Sequence, residues 1–425
     1  MIKNLITIFK NPDLRKRMLN VLGLLLVFRL LAIIPMPGVS PANLKTFLQS
    51  NQIFGLFNIF TGGAFSKMSI ALLGVGPYIT SSIILQLLTM VIPRLKESFY
   101  EEGAEGRRKF ENWTRWLSIP LAVLQAFAML RLFEFQKIIT IDSTMSLINN
   151  IIVLTAASMI LVWIGELITE QKLGNGISMI IFAGIVSEIP LSIINTFIAY
   201  KTATLSQILG LIIFFVMALA MIVAIVIITE GERRVPVSYA KHVRGNKMYG
   251  GATTNLPMKV NQAGVIPIIF AMSILMLPSF IGQLLIIAKI GWVVKLGTFL
   301  VNMFNNSIIY GAVYFLLVFF FTFFYTSITF EPKEIANNLQ KMGGFIPGYR
   351  PGQTTADFLQ KLSSRITLFG ALFLAFIAIL PMILEKVTKV TTFNMGGTSI
   401  LILVAVAIEI KREVEAQITM REYDY

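Results

Sequence analysis

Few residue types in this 425-residue chain could perform catalysis or hold a metal ion. The chain contains no cysteine, and His242 is its only histidine. Zinc-finger and iron–sulfur sites are therefore excluded, and a Ser-His-Asp arrangement would have to use His242. Ser238 lies close before His242, but this stretch is basic and offers no acidic residue nearby to orient the histidine. A phosphate-binding GxxxxGKS or GxxxxGKT loop is also absent. We therefore predict a protein that is not an enzyme and needs no cofactor or metal.

Ionisable side chains inside apolar stretches are the next candidates, because they commonly mark ion and proton pathways through membranes. Arg29 and Glu188 lie well inside such stretches, and Glu166 and Glu409 lie near the ends of others. The small number of ionisable side chains inside the apolar stretches argues against a proton-coupled carrier. Substrate or sodium sites made from backbone carbonyls would, however, not be found by counting ionisable side chains. A secondary transporter with inverted repeats therefore stays open as an alternative, and an intramembrane hydrolase is the alternative among enzymes.

The composition predicts an all-α polytopic membrane protein. Hydrophobic residues make up 56% of the chain and charged residues 14%, against roughly 25% charged residues in soluble domains. A lipid core about 30 Å thick requires about 20 apolar residues as a helix, and the apolar runs are too long for barrel strands. We predict ten transmembrane helices, at 18–36, 68–92, 113–133, 147–169, 177–198, 205–229, 263–288, 308–330, 366–384 and 396–410.

The distribution of basic residues predicts how these helices are oriented. In the loops and termini, 24 Lys and Arg residues fall in one alternating set and 8 in the other. Because cytoplasmic loops retain basic residues, both termini are expected in the cytoplasm, and the net charge of +14 needs no nucleic-acid partner. Five spans in an N-terminal half, 18–198, and five in a C-terminal half, 206–410, force inverted orientations, with a hinge connection at 199–205.

The ends of the chain flank this helical region. Residues 411–425 are expected to form a cytoplasmic tail. Residues 1–17 are expected to form a short amphipathic helix on the inner membrane surface, with a disordered tail as the alternative. The apolar side chains that share one face of this helix are Ile2, Leu5, Ile6 and Phe9.

The stretch 53–92 does not have the pattern of one plain spanning helix. It is about twice as long as one crossing requires, and it is interrupted by several glycines and by Pro77. A short re-entrant or plugging helix at about 56–70, followed by a span, accounts best for this pattern. Because irregular backbone at membrane depth is tolerated only against protein or a water-filled cavity, the stretch indicates a pore. An ordinary apolar loop is the alternative.

Two cytoplasmic loops are unusually large, at about 230–262 and 331–365. Both are polar and contain glycine and proline, and the first is strongly basic. Loops of this kind on a rigid scaffold commonly carry function. The alternative is that the basic residues of these loops are merely solvated and reflect only the cytoplasmic location of the loops.

Eight segments, spread over essentially the whole length of the chain, are informative when taken together. They are FRLLAIIPMPGV, NIFTGGAFSKMSIALLGVGPYITSSIILQLLT, EEGAEGRRKFENWTR, GNGISMIIFAGIV, ERRVPVSYAKHVRG, NLPMKVNQAGVIPIIFA, GGFIPGYRPGQTTADFL and GGTSILI. In sequence, order and spacing these segments resemble the SecY family, whose members form the channel of the Sec protein translocation system.

The resemblance implies an hourglass pore between two five-helix halves, closed by a short plug helix and a constriction ring. Its implied function is to move unfolded secretory proteins across the membrane and to release hydrophobic segments sideways into lipid. The ring positions carry over to Ile79, Ile83, Ile181, Ile185, Ile269 and Ile402. The plug positions carry over to Asn58, Phe60, Gly62, Gly63, Phe65, Met68 and Ile70.

Helical spacing adds one candidate to this set. Glu188 follows Ile185 and Ile181 on the ring-facing side of its helix. We expect Glu188 to line the outer funnel or to pair with a basic group, rather than to face lipid.

The resemblance also implies a lateral gate and several partners. Gln86 and Gln125 are the polar candidates at a gate between the second and third spans on one side and the seventh and eighth on the other. The large loops would dock a SecA motor ATPase and the ribosome through its RNA, using Arg233, Arg234, Lys241, Arg244 and Arg350. Other implied partners are SecE-type and SecG-type small subunits, signal peptides, unfolded preproteins and anionic membrane lipids. The implied location is the inner (plasma) membrane of a bacterium.

Overall fold

The computed structural model describes most of the chain. The described residues are 12–38, 61, 63–65, 67–92, 95, 103–141, 143–199, 205–239, 241–244, 247–250, 253–287, 290–388 and 397–422. Residues 1–11 of the amphipathic segment predicted at 1–17, residues 200–204 of the predicted hinge and the tail residues 423–425 lie outside them. Residues 12–17 belong to the first helix.

Each of the ten predicted spans overlaps one long helix. These helices are α1 (Pro12–Leu31), α2 (Gly76–Val91), α3 (Gly103–Phe135), α4 (Thr144–Glu170), α5 (Gly176–Ala199), α6 (Leu205–Glu230), α7 (Ile266–Ile287), α9 (Ser307–Thr329), α11 (Gln353–Thr388) and α12 (Gly397–Glu422). Two further helices, α8 (Gly291–Asn305) and α10 (Pro332–Lys341), lie in the connections.

Six stretches of helix among the described residues are long and apolar enough to cross a membrane. They are Arg108–Phe135, Thr144–Glu170, Gly176–Ile198, Gln207–Glu230, Ser307–Lys341 and Gln353–Leu384. Helix α2, by contrast, has only 16 residues, and α1 carries a charged first turn. The count of ten spans therefore stays a prediction.

Local sequence explains where several helices begin. The Ser143 side chain accepts a hydrogen bond from the Ser146 backbone N–H at 3.2 Å, at the start of α4. The Asn306 side chain accepts one from the Ile308 N–H at 3.0 Å, at the start of α9. Such caps satisfy backbone donors that the first helical turn leaves free.

The helices form two groups that meet along two lines of contact. Within the first group, α1 packs on α4 and α5, and α3 packs between α2 and α4. Within the second group, α11 packs on α6, α9, α10 and α12. The groups meet where α5 contacts α12 and where α7 contacts both α2 and α3. One large apolar core, with side chains from both groups, lies between these two lines.

Five short strands organise the two large loops. Strands β1 (Glu232–Tyr239), β4 (Thr253–Lys259) and β5 (Gly344–Phe345) form an antiparallel sheet in the order β4-β1-β5. Strands β2 (Lys241–Arg244) and β3 (Lys247–Gly250) form a separate hairpin. Because β5 belongs to the second large loop, its pairing with β1 joins both loops into one unit on the same side of the helices.

This loop unit has an apolar core of its own. Val235 and Val237 alternate with exposed residues along β1, so both point to the same face of the sheet. They pack with Met258 from β4 and with Leu339 and Leu359 from α10 and α11. The loops are therefore a folded platform rather than solvated links.

Close packing of α4 on the start of α5 depends on Gly176. Its backbone N–H donates to Thr169 Oγ1 at 2.9 Å, and the Thr169 hydroxyl donates to the Gly165 carbonyl oxygen at 2.9 Å. A methyl group on Gly176 would overlap the Gly165 carbonyl and lie 2.9 Å from Thr169 Oγ1.

We therefore expect Gly176→Ala to destabilise the protein by about 1–3 kcal/mol, because backbone atoms cannot move away as side chains do. Heating of the purified protein followed by size-exclusion chromatography measures the loss of folded material. Gly23→Ala is the matched control, since nothing lies within 4 Å of a methyl group at this helical glycine. If Gly176→Ala and Gly23→Ala lose half of their folded protein at the same temperature, the prediction is wrong.

Candidate pore, plug and docking loops

The six isoleucines of the expected ring come from four helices and lie in one buried apolar cluster. Ile79 and Ile83 are on α2, Ile181 and Ile185 on α5, and Ile269 and Ile402 on α7 and α12. None is more than 8% exposed. The two pairs on α2 and α5 have four-residue spacing, so each pair lies on one side of its helix. We call these six residues the ring.

The described residues of the stretch 61–75, here called the plug segment, lie beside the ring. Ala64, Ala71 and Val75 belong to the same apolar cluster as the ring. Phe65 and Met68 point to a second cluster on α3 and α4, where the Phe65 ring meets the Phe133 ring edge-on at 5.6 Å. The plug segment thus fills the space between two apolar cores.

Hydrogen bonds join the plug segment to the stretch that follows α1. The Met36 N–H donates to the Met68 carbonyl at 2.8 Å, and the Ile70 N–H donates to the Ile34 carbonyl at 3.0 Å. The Ser158 hydroxyl of α4 donates to the Gly74 carbonyl at 2.9 Å. These bonds satisfy backbone groups that would otherwise be unpaired in an apolar environment.

The plug segment differs in detail from the short helix expected at 56–70. Its described residues form consecutive turns. Positive φ angles at Gly63 (78°), Met68 (47°) and Gly74 (55°) interrupt any right-handed helix. Ile70 is partly buried. Asn58, Phe60 and Gly62, which were also expected to belong to the plug, lie outside the described residues.

Glu188 lies against the plug segment. The residue is partly buried on α5, and its carboxylate occupies the space beside the Cα of Gly63. Arg29 of α1 is close enough for electrostatic attraction to Glu188. The two ionisable residues that the sequence places well inside the predicted spans therefore attract each other across two helices.

The two amides expected at a lateral gate lie on adjacent helices but do not bond to each other. Gln86 Nε2 donates to Ser82 Oγ on its own helix at 3.2 Å, whereas Gln86 Oε1 is buried without a hydrogen-bond partner. Gln125 is partly buried on α3. Helix α7 packs against both of these helices.

Arg350 stands at the tip of a rigid turn in the second large loop. Gly348 and Gly352 on either side have φ angles of 89° and 97°, which L side chains rarely adopt. The Thr355 hydroxyl donates to the Arg350 carbonyl at 2.8 Å, and the Tyr349 ring stacks on Phe358 at 4.1 Å. The backbone is thus fixed, while the Arg350 side chain is exposed.

The other expected docking residues lie on the first large loop. Arg233 and Arg234 are exposed at the start of β1, where Arg234 Nε donates to Glu232 Oε1 at 2.8 Å. An exposed ion pair of this kind contributes at most about 1 kcal/mol, so Arg234 stays available for a partner. Lys241 and Arg244 begin and end β2, but their side chains lie outside the description.

A charged cluster at the base of the loops was not anticipated from the sequence. Arg412 of α12 donates to the Thr229 carbonyl at 3.1 Å and pairs with Glu230 at 3.1 Å. Burial and the neighbouring Arg412 lower the pKa of Lys259, at the end of β4. Gln417 bonds to the Lys172 carbonyl, so α12 links the turn before α5 to the end of α6. The sequence alone did not predict these pairings, because the paired residues are far apart along the chain.

The described residues form a helical membrane protein with a large buried apolar cluster, a segment packed beside it and a folded pair of loops on one side. A protein-family model for SecY matches residues 69–411. The protein translocase subunit SecY of Mycobacterium bovis is 40% identical over 448 aligned residues, covering 100% of this chain and 99% of that protein. The chain therefore belongs to the SecY family.

Solved structures agree with this fold. One is a SecY protein whose plug domain is described as stabilising the closed state of the translocation channel and maintaining a membrane seal. This chain superposes on it with a TM-score of 0.60 at 17% identity, and the superposition covers 92% of this chain and 90% of the SecY chain. Sec61 in a canine ribosome–channel complex gives a TM-score of 0.58 at 17% identity, over 93% and 91% of the two chains. The chain is a multi-pass membrane protein and the protein-conducting channel subunit of a translocase.

Proposed function

We propose that this subunit moves unfolded secretory proteins through the ring and releases hydrophobic segments sideways into lipid between α2, α3 and α7. It resides in the inner membrane of a bacterium with both termini in the cytoplasm. Residues 18–198 and 206–410 act as two halves that hinge at 199–205. The chain is a conduit, and its energy comes from an external motor ATPase or from the ribosome.

The observation that carries this proposal is the convergence of the six ring isoleucines with the plug segment in one buried cluster. Branched aliphatic side chains exclude water from a constriction. They also offer no polar group that would hold a passing polypeptide tightly. A ring of this composition suits a seal that must open for chains of any sequence.

The contacts of α7 support a gate on one side of the bundle. Helix α7 meets α2 and α3 across one line, whereas α5 and α12 meet across the other. Opening the first line while the second stays closed would create an exit toward lipid. Gln86, the polar residue expected at this gate, lies on α2, and its Oε1 is buried without a hydrogen-bond partner, which costs free energy in the closed state.

The joined loop unit supports docking of large partners. Its exposed arginines lie on strands and turns with their own apolar core, so the charges are held in a fixed arrangement. Fixed point charges suit an acidic SecA-type motor surface or ribosomal RNA phosphates. SecE-type and SecG-type subunits are proposed as the small membrane partners.

The experiment that tests the proposal is translocation of an unfolded secretory precursor into reconstituted vesicles. The vesicles contain this chain, a SecE-type partner, the motor and ATP, and matched vesicles lack only this chain. We expect protease-protected precursor only where the chain is present. Absence of transport by a correctly assembled complex, together with uptake of a small solute, would instead favour the secondary transporter.

A further inference from the structure

The contact between Glu188 and Gly63 joins α5 directly to the plug segment. Gly63 is buried, and its φ of 78° is a conformation that L side chains rarely adopt. A methyl group at this position would overlap Glu188 Oε1 and lie 2.9 Å from Glu188 Cδ. The carboxylate can therefore approach the backbone of the plug segment this closely only because residue 63 is a glycine.

Arg29 of α1 contributes to the electrostatic surroundings of Glu188. The two charges attract each other, and α1 packs against α5. A charge in the interior of a membrane protein is costly unless a partner compensates it. Glu188 thus has a cation on a neighbouring helix in addition to its contact with the backbone of the plug segment.

Other contacts of the plug segment lie along its length. Hydrogen bonds join Met68 and Ile70 to the stretch that follows α1, and Gly74 is bonded to α4. Near Gly63 the Phe65 N–H donates to Thr61 Oγ1 at 3.2 Å, and the Phe65 ring packs against Phe133 of α3. Glu188 adds a contact from α5 to the first described part of the segment.

We propose that Glu188, through its contact with Gly63, is a positioning residue that latches the plug segment in the closed channel. The latch sets how strongly a hydrophobic signal must engage the channel before the segment moves. This inference rests on the proposed function and on the plug expected at 56–70, part of which belongs to this segment. It goes beyond the ring, because Glu188 is a polar residue that contacts the plug segment itself.

The test uses a single introduced thiol, which is possible because the chain has no cysteine. Ala64→Cys places that thiol in the plug segment at a fully buried position. The reconstituted complex, without motor or precursor, is treated with a water-soluble maleimide. We expect Glu188→Gln to raise the labelling rate at position 64 about tenfold, which corresponds to about 1.4 kcal/mol. Glu188→Asp should give a smaller increase.

Two matched comparisons separate the latch from general loosening. Ser187→Ala changes a neighbouring polar residue whose hydroxyl bonds within its own helix, and it should leave labelling unchanged. Gly63→Ala should raise labelling as Glu188→Gln does, whereas Gly76→Ala should not, since nothing lies within 4 Å of a methyl group there. The double variant should raise the labelling rate by less than the product of the two separate increases, because both changes disrupt the same contact.

Wild-type labelling rates in both Glu188→Gln and Gly63→Ala would overturn the latch. The labelling readout needs no transport, so it distinguishes this failure from failure of the proposed function. A labelling increase in complexes that never translocate a precursor would support the latch and refute the transport role.

Discussion

Replacing Ile402 by asparagine should yield a channel that transports precursors with defective signal sequences and leaks ions at rest. Ile402 is 1% exposed and lies in the apolar cluster with the other ring residues. An amide buried there without partners costs about 1–3 kcal/mol and attracts water into the seal. Since about 1.4 kcal/mol changes a population tenfold, we expect roughly a tenfold gain in transport of the defective precursor. Vesicle translocation assays and planar-bilayer currents measure the two effects.

Two variants of α12 serve as controls for Ile402→Asn. Ile402→Val keeps a branched aliphatic side chain and should behave like the wild type in both assays. Ala407→Asn introduces the same amide at an exposed position of the same helix, and should not increase the resting current. If Ile402→Asn assembles normally and keeps wild-type current and signal requirement, Ile402 does not belong to the constriction.

The positions of the helices could be predicted from apolar run length, because lipid imposes a length on every spanning segment. All ten runs overlap a helix. The ring could not be predicted in this way, because isoleucine is ordinary on every apolar helix face. Four-residue spacing predicts that Ile79 and Ile83 lie on the same side of one helix. It does not predict that Ile402, on α12, joins the same cluster. Only the resemblance pointed to these six residues together.

Contacts between distant parts of the chain were the least predictable. The pairing of Ser238 with Phe345 joins two loops that are separated by several helices. The turns of the plug segment depend on Met68 at positive φ, a conformation that propensity disfavours for methionine and that buried contacts on both sides stabilise. Helical spacing predicted that Glu188 lines the outer funnel or pairs with a basic group, but that spacing could not reveal the contact with Gly63.

Reversing the charge of Arg350 should remove most motor- or ribosome-driven transport while leaving the channel folded. The side chain is exposed, whereas its backbone is fixed by two glycines and by the Thr355 hydroxyl. Arg350→Glu therefore changes the surface without disturbing the turn. Loss of one charge-assisted contact and gain of a repulsive one cost about 3 kcal/mol or more at a desolvated interface, so we expect transport to fall by at least about tenfold. Precursor protected in vesicles at fixed motor concentration measures this fall.

Three comparisons identify what Arg350 contributes. Arg350→Lys keeps the charge but loses the planar guanidinium, so it should retain part of the activity. Lys361→Glu makes the same reversal at another exposed position of the second loop and should have a small effect. Because exposed charges are screened by salt, the gap between wild type and Arg350→Glu should narrow as ionic strength rises. A gap that does not depend on salt, or equal loss in Lys361→Glu, would mean that transport fails for a reason other than docking at Arg350.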